Sequence, residues 1–378
     1  MNSTWSLLEE AKPFLQEAWN KASYTTPTAI QEKAIPAILD GRDVIAESPT
    51  GTGKTLAYLL PVLQRINPES KNIQTLIMAS SRELVMQIHE EIQKWSAGSG
   101  ILGASFIGGA NVKRQQEKLK KRPQIIVGTP GRVSELIKQK KIKMHEVKTI
   151  VLDEGDQLLQ PEHLSDIKNI IKTTLKDRQL LLFSATLPEK TEAEAKSLMQ
   201  NPEVIKVSRD ESIQSQVDHI YFTAEARDKI DLLQKLSRLE GAKAIAFVKD
   251  IGNAAVLAEK LMYKGLPLGI LHGDSTKRER ETAIKSFRTG ELPILLATDV
   301  AARGLDIEGV THVIHYDLPE TVEQYVHRSG RTGRNGADGT VVSLVTEREE
   351  RELKQICKGL KVELHKKRFY KGEIVESK

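Results

Sequence analysis

Ser48-Pro49-Thr50-Gly51-Thr52-Gly53-Lys54-Thr55 follows the short apolar run Asp43-Val44-Ile45-Ala46 and precedes a helical segment that starts near Lys54. Strand, glycine-containing loop and helix in that order form a phosphate-binding loop. Backbone N–H groups at the helix start can cradle phosphate oxygens. Gly51 and Gly53 permit the close approach. Lys54 is spaced to reach the outer phosphates, and the Thr55 hydroxyl to ligate magnesium. The strict pattern begins with glycine, and Ser48 occupies that position. Further along, Thr149-Ile150-Val151-Leu152 runs into Asp153-Glu154-Gly155-Asp156. A lone carboxylate at the end of a buried strand is costly to desolvate, and a bound magnesium removes that cost. Asp153 is therefore the candidate metal holder, and Glu154 the candidate base that orients and deprotonates an attacking water. A helix N-cap followed by an exposed acid is the alternative reading of this pair, and the loop upstream argues against it. Together the two segments can hold a nucleoside triphosphate and attack it with water.

Working outward, similar apolar runs recur at residues 75–79, 124–127 and 180–183, and again at 244–248, 268–271, 294–297, 313–314 and 341–345. Continuous runs of this length suit strands buried on both faces. Leu84, Ile88, Ile92 and Trp95 recur at helical spacing. Gly265 and Gly290 stand where helix C-caps belong, and Thr346 with Glu349 forms a capping box. Alternating strands and helices, twice over, predict an α/β fold of two tandem domains. Each is a mostly parallel sheet with right-handed crossovers and helices on both faces, and ligands bind beyond the carboxyl ends of its strands. The polar stretch from Val207 to Ser212 marks the seam, giving domains 1–207 and 213–378.

Composition agrees with this frame. The 378 residues carry 56 Lys and Arg against 51 Asp and Glu, a net charge of +5 that permits a nucleic-acid partner without demanding one. The single cysteine, Cys357, excludes a disulfide framework and a multi-cysteine zinc site. No segment approaches the roughly 20 apolar residues of a membrane span. Met1-Asn2-Ser3-Thr4-Trp5 opens without a basic region and apolar stretch. The expectation is a soluble cytoplasmic protein with no membrane partner.

His327-Arg328-Ser329-Gly330-Arg331-Thr332-Gly333-Arg334 adds dense positive charge in the second half. Arg331 and Arg334 are candidates to stabilise the leaving phosphates, a role worth about 10³–10⁵ in rate. If they complete the site from the second domain, hydrolysis requires the domains to close. A solvated face or a phosphate-backbone contact is the alternative for such a segment.

With these motifs in order, the chain resembles the DEAD-box RNA helicases of superfamily 2 over nearly its whole length. The resemblance implies two RecA-like domains and an ATP-dependent RNA helicase, an RNA-stimulated ATPase using ATP and Mg2+. It identifies Pro27-Thr28-Ala29-Ile30-Gln31 with upstream Phe14 as the family's Q motif: Gln31 reads the adenine edge and Phe14 stacks on the ring. The phosphate loop comprises Ser48, Pro49, Thr50, Gly51, Thr52, Gly53, Lys54 and Thr55, with Thr55 and Asp153 as the magnesium ligands. Arg82, Gly109, Thr129 and Arg132 match RNA-contacting motifs of the first domain, which offer hydroxyls, arginines and exposed amides that bind phosphate without reading sequence. Gly273, Arg280 and Thr298 do so in the second. Asp306, in the segment from Thr298 to Asp306, is implied to touch the ribose of ATP. Asp156, Ser184, Thr186 and His327 are implied to couple hydrolysis to unwinding.

The departures from the family pattern are small. Gly155 stands for alanine, Ser80 for a proline-like residue, Lys277 for glutamine and Ser329 for an aliphatic residue. None removes a catalytic group. The expected mechanism is local strand separation driven by domain closure on ATP and RNA. An ATP-gated clamp or ribonucleoprotein remodeller with little unwinding would carry the same motifs. A DNA helicase and a decayed, non-catalytic RNA-binding module fit the motifs less well. Beyond Val345 one helix and a tail are expected, the tail His365-Lys366-Lys367-Arg368-Phe369-Tyr370-Lys371 being read as a solvated terminus with RNA contact as the alternative. A monomer acting on RNA with little sequence preference, and on ribosomal precursor particles, completes the expectation.

Overall fold

The computed structural model describes residues 9–208 except 23, 25, 110 and 111, and residues 217–377 except 303–306, 308 and 334–336; the side chains at 112–114, 116 and 277 also lie outside the description. The sequence-based assignments for Asp306, Arg334 and the Lys277 side chain therefore fall outside the described residues. The chain divides into two compact units, Met1–Ile213 and Gln214–Lys378.

The first unit is a seven-stranded sheet. Its strands are β1 (Val44–Glu47), β2 (Thr75–Ala79), β3 (Gly103–Phe106), β4 (Ile125–Gly128), β5 (Thr149–Asp153), β6 (Gln179–Ser184) and β7 (Glu203–Lys206). They lie in the order β3-β4-β2-β5-β6-β1-β7, and every neighbouring pair is parallel. Successive side chains point to opposite faces. Val44, Ala46, Ile77 and Ala79 accordingly join one core, while Ile45, Leu76 and Met78 join the other. Helices cover both faces, which is why the strands read as unbroken apolar runs. The helix Arg82–Trp95 buries Val85, Ile88, Ile92 and Trp95, matching the expected periodicity. β3 and β7 were not legible as apolar runs. They are the two edge strands, and Gly103-Ala104-Ser105 and Glu203 dilute their apolar character.

The second unit repeats the plan with β8 (Val217–Thr223), β9 (Ala244–Phe247), β10 (Leu268–Leu271), β11 (Ile294–Ala297), β12 (His312–His315), β13 (Gly339–Val345), β14 (His365–Tyr370) and β15 (Glu373–Glu376). The order is β10-β11-β9-β12-β13-β8-β14-β15. Only the last pairing, β14 with β15, is antiparallel. Gly265 and Gly290 take left-handed φ angles of 74° and 83° after the helices Ile251–Tyr263 and Lys277–Arg288, as helix stops require. Thr346 and Glu349 close the expected capping box on the helix Glu347–Gly359. Among the described residues no helix is long and apolar enough to cross a membrane.

The C-terminal tail departs from the expectation of a solvated terminus. It folds into a hairpin that extends the second sheet, turning at Lys371 (φ 50°) and Gly372 (φ 90°). Two positive-φ residues match the right-handed twist of the flanking strands. Phe369 stacks on Phe222 with ring centroids 5.3 Å apart. Glu350, on the helix Glu347–Gly359, ties the neighbourhood together. It accepts from Lys354 at 2.6 Å, from Tyr221 Oη at 2.9 Å, from Thr223 at 3.2 Å and from Lys366 of β14 at 3.3 Å. The Lys354 hydrogen bond leads in holding the Glu350 carboxyl down to about 2. Glu350→Gln is expected to destabilise this unit by about 1 kcal/mol at neutral pH, since the group is partly solvated. Folding lowers this pKa, so the contribution is complete above the unfolded value of about 4.3 and lost as the pH falls from there toward 2. Denaturant unfolding of both proteins should show a gap at pH 7 that narrows over that acid window.

Candidate active site

β1 delivers the chain to the phosphate loop, and the helix Lys54–Arg65 leaves it. Gly51 and Gly53 both have left-handed φ, 77° and 86°. Ser48 is fully buried, and its hydroxyl lies 2.7 Å from that of Thr52, whose Oγ1 donates to the Pro49 carbonyl at 2.8 Å. The residue that departs from the strict glycine pattern therefore closes the loop through a side chain that glycine lacks. Lys54 Nζ donates to the carbonyls of Ser48 (2.6 Å) and Pro49 (2.7 Å). The loop is folded over its own lysine, whose ammonium holds two of its carbonyl oxygens.

Gln31 is built into the same loop. Its Oε1 accepts from Thr28 N at 3.0 Å as part of a helix capping box, and its Nε2 donates to the Gly53 carbonyl at 3.2 Å. A Cβ on Gly53 would sit 2.5 Å from that amide nitrogen, so only glycine admits the contact. An amide has two N–H donors and two lone pairs, which leaves one of each for a base. Phe14 lies half-buried against the adjoining core.

The carboxylates lie one strand beyond the neighbour of β1. Asp153 ends β5 and is 5% exposed. Burial pushes its carboxyl up to about 6, opposed by the hydroxyl of Tyr58, which donates to Oδ2 at 2.8 Å. Burial, with Asp153 beside it, pushes the Tyr58 hydroxyl well above its usual range, and Thr55 next to it offsets part of that rise. Thr55 and Asp153 thus converge on one buried phenol, and a hydroxyl beside a carboxylate is a donor set that fits a hard divalent cation. Tyr58 was missed in the sequence. Its position one helical turn after Thr55 was the available signal.

Glu154 follows in a left-handed conformation (φ 57°, ψ 53°), an uncommon geometry for a residue with a side chain. Its backbone N–H donates to Asp153 Oδ1 at 2.9 Å, and its carboxylate accepts from Ser80 Oγ. At Gly155, where the family pattern has alanine, the space is filled. A Cβ there would lie 2.5–2.8 Å from the side-chain carbons of Leu182 on β6. The missing methyl leaves no cavity, because Leu182 occupies its place. Asp156 is fixed by both hydroxyls of the Ser184-Ala185-Thr186 segment, Ser184 donating to Oδ1 at 2.6 Å and Thr186 to Oδ2 at 3.1 Å. The three coupling candidates of this unit therefore form one cluster, with Asp156 and Ser184 buried and Thr186 at its half-buried edge.

The RNA-contact candidates stand beside these groups at strand ends. Arg82 covers the Gly108-Gly109 turn; a Cβ on Gly109 would meet its Nη2 at 2.8 Å. Thr129 is the N-cap of the helix Pro130–Lys138. Arg132 is only 8% exposed and pairs with Glu135 at 3.2 Å, so it presents little surface.

In the second unit a Cβ on Gly273 would meet no atom of the described residues within 4 Å. Arg280 Nη2 donates to the Ala301 carbonyl at 2.9 Å, bracing the short helix Asp299–Ala302 that follows Thr298, itself 6% exposed. Arg331 is 8% exposed, its Nε donating to the His327 carbonyl at 3.3 Å. The sequence reading did not single out the link between these segments. Arg328 donates to both Asp299 carboxylate oxygens at 2.7 Å each and to the Asp317 carbonyl at 2.7 Å, and it lies over the Phe247 ring. A bidentate pair of this kind is geometrically specific. Nothing in sequence spacing joins positions 299 and 328.

The sequence matches the DEAD/DEAH box helicase family over residues 28–195 and the helicase conserved C-terminal domain over residues 228–336. It is 59% identical to the probable ATP-dependent RNA helicase YfmL of Bacillus subtilis, across 99% of this chain and 99% of that protein. It is 53% identical to the DEAD-box ATP-dependent RNA helicase CshC of Bacillus cereus, across 98% of this chain and 95% of that protein. The solved structure of S. cerevisiae Dbp5 bound to RNA and ADP BeF3 is similar with a TM-score of 0.88 and 34% identity, covering 96% of this chain and 95% of that one. With relatives this similar along nearly its full length, and both helicase domains matched in order, the chain belongs to the DEAD-box family of ATP-dependent RNA helicases.

Proposed function

We propose that this protein hydrolyses ATP in response to RNA and uses the cycle to open short RNA duplexes or remodel RNA–protein contacts. The observation that carries the reading is the convergence, at the carboxyl edge of one sheet, of a lysine-bearing phosphate loop, the Asp153–Glu154 pair and the Asp156–Ser184–Thr186 cluster. ATP entering the loop exchanges the Ser48 and Pro49 carbonyls on Lys54 for phosphate oxygens. Thr55 and Asp153 would hold magnesium, which would supply charge neutralisation on the phosphates. Glu154 orients the attacking water and accepts its proton. Asp156 passes the state of the carboxylate segment to Ser184 and Thr186. Arg331 of the second unit contributes transition-state charge when ATP and RNA bring the two units together. If both ligands favour that closed state, each raises the affinity of the other by the same factor. RNA is held through phosphates and hydroxyls rather than base edges.

The deciding experiment is steady-state ATP turnover with and without single-stranded RNA, with DNA of the same sequence as control. Stimulation by RNA alone is the expected result; equal stimulation by DNA, or none, would overturn the reading. The Gln31 amide makes a further prediction. Gln31→Ala is expected to reduce the preference for ATP over GTP in kcat/KM by about tenfold, the worth of one hydrogen bond of roughly 1.4 kcal/mol. An unchanged ratio would remove Gln31 from base recognition.

A further inference from the structure

The contact between Ser80 and Glu154 follows from strand register. β2 and β5 are adjacent and parallel, and Ala79 is the register partner of Asp153. The next residue of each strand, Ser80 and Glu154, therefore emerges side by side beyond the carboxyl edge. Ser80 Oγ donates to Glu154 Oε2. The backbone of Glu154 is already committed to a left-handed turn (φ 57°), so its carboxylate is aimed by the turn and held by this hydroxyl. On its other side Ser80 adjoins Ser81, whose hydroxyl caps the helix Arg82–Trp95 by accepting from Leu84 N at 3.2 Å. Arg82, the first residue of that helix, lies on the Gly109 turn. A proline at position 80 could offer no hydroxyl.

We propose that Ser80 is a positioning residue that holds the Glu154 carboxylate from the segment that faces RNA, so that the orientation of the hydrolytic base depends on the placement of that segment. The inference rests on the role proposed above for Glu154. One carboxylate oxygen is occupied by the Ser80 O–H, which leaves the other to take the proton from water. A carboxylate without this contact can turn about its side-chain bonds, and fewer encounters with water are productive.

The test is steady-state turnover of the full chain at saturating single-stranded RNA. Ser80→Ala is expected to lower kcat about 3–10-fold, the scale of one hydrogen bond, with KM for ATP and the RNA half-saturation unchanged. Ser80→Thr keeps the hydroxyl and should stay within about twofold of the parent. In a Glu154→Gln background, Ser80→Ala should cause no further loss. Thermal unfolding of each variant separates these effects from misfolding. An unchanged kcat in Ser80→Ala, a loss confined to KM, or an equal loss in Ser80→Thr would overturn the proposal while leaving the base assignment intact. Normal turnover by Glu154→Gln alone would instead overturn the base assignment and this proposal with it.

Discussion

Lys54→Ala is expected to lower RNA-stimulated ATP turnover by at least about 10²–10³-fold, the scale set by loss of one preorganised donor to developing charge. The lysine has two places to go. Its ammonium donates to the Ser48 and Pro49 carbonyls at 2.6 and 2.7 Å. In the proposed cycle ATP would offer it phosphate oxygens, which carry full charge and would hold it more strongly. Alanine removes both contacts. The substitution therefore weakens the closed loop as well as nucleotide binding, and a nucleotide-binding titration should show a large rise in Kd beside the loss of turnover. Lys54 belongs to neither apolar core of this unit, so the substitution should leave it folded. Wild-type turnover in Lys54→Ala would show that the triphosphate binds elsewhere.

Glu154→Gln is expected to separate binding from hydrolysis. The amide is nearly the same shape and can still accept from Ser80, but it cannot take a proton from water. Turnover should fall by about 10²–10⁴-fold, the usual contribution of a positioned base. ATP binding should survive, because Lys54 and Asp153 are untouched. If hydrolysis is the step that releases RNA, the variant should retain labelled single-stranded RNA in the presence of ATP for far longer than the parent. Dissociation measured after a chase with unlabelled RNA reads this directly. A fast release at wild-type rate, with hydrolysis blocked, would break the link between hydrolysis and release.

These two residues also show how the site became legible. Lys54 and Glu154 were readable because each belongs to a short contiguous segment. The phosphate loop needs glycines, lysine and threonine at fixed offsets, and the acids follow a run that suits a buried strand. The capping box at Thr346 and the stops at Gly265 and Gly290 were readable for the same reason: their chemistry is local. The tail was misread for a complementary reason. Its charges suggested a solvated end, yet Lys366 finds Glu350 on the preceding helix and Phe369 finds Phe222, far away in the chain.

Local order along this chain was enough to predict two α/β units, a triphosphate loop and a carboxylate pair, because helix and strand periodicity, turns and phosphate cradles depend on residues within a few positions of one another. The pairings that tune the site came from folding. Tyr58 on Asp153, Ser80 on Glu154, Leu182 filling the space over Gly155, and Arg328 on Asp299 each join segments from different elements. Their meeting is set by the strand order β2-β5-β6-β1 and its counterpart in the second sheet. Sheet order and register are long-range choices, made by burying two apolar faces at once, and no spacing within a single segment encodes them.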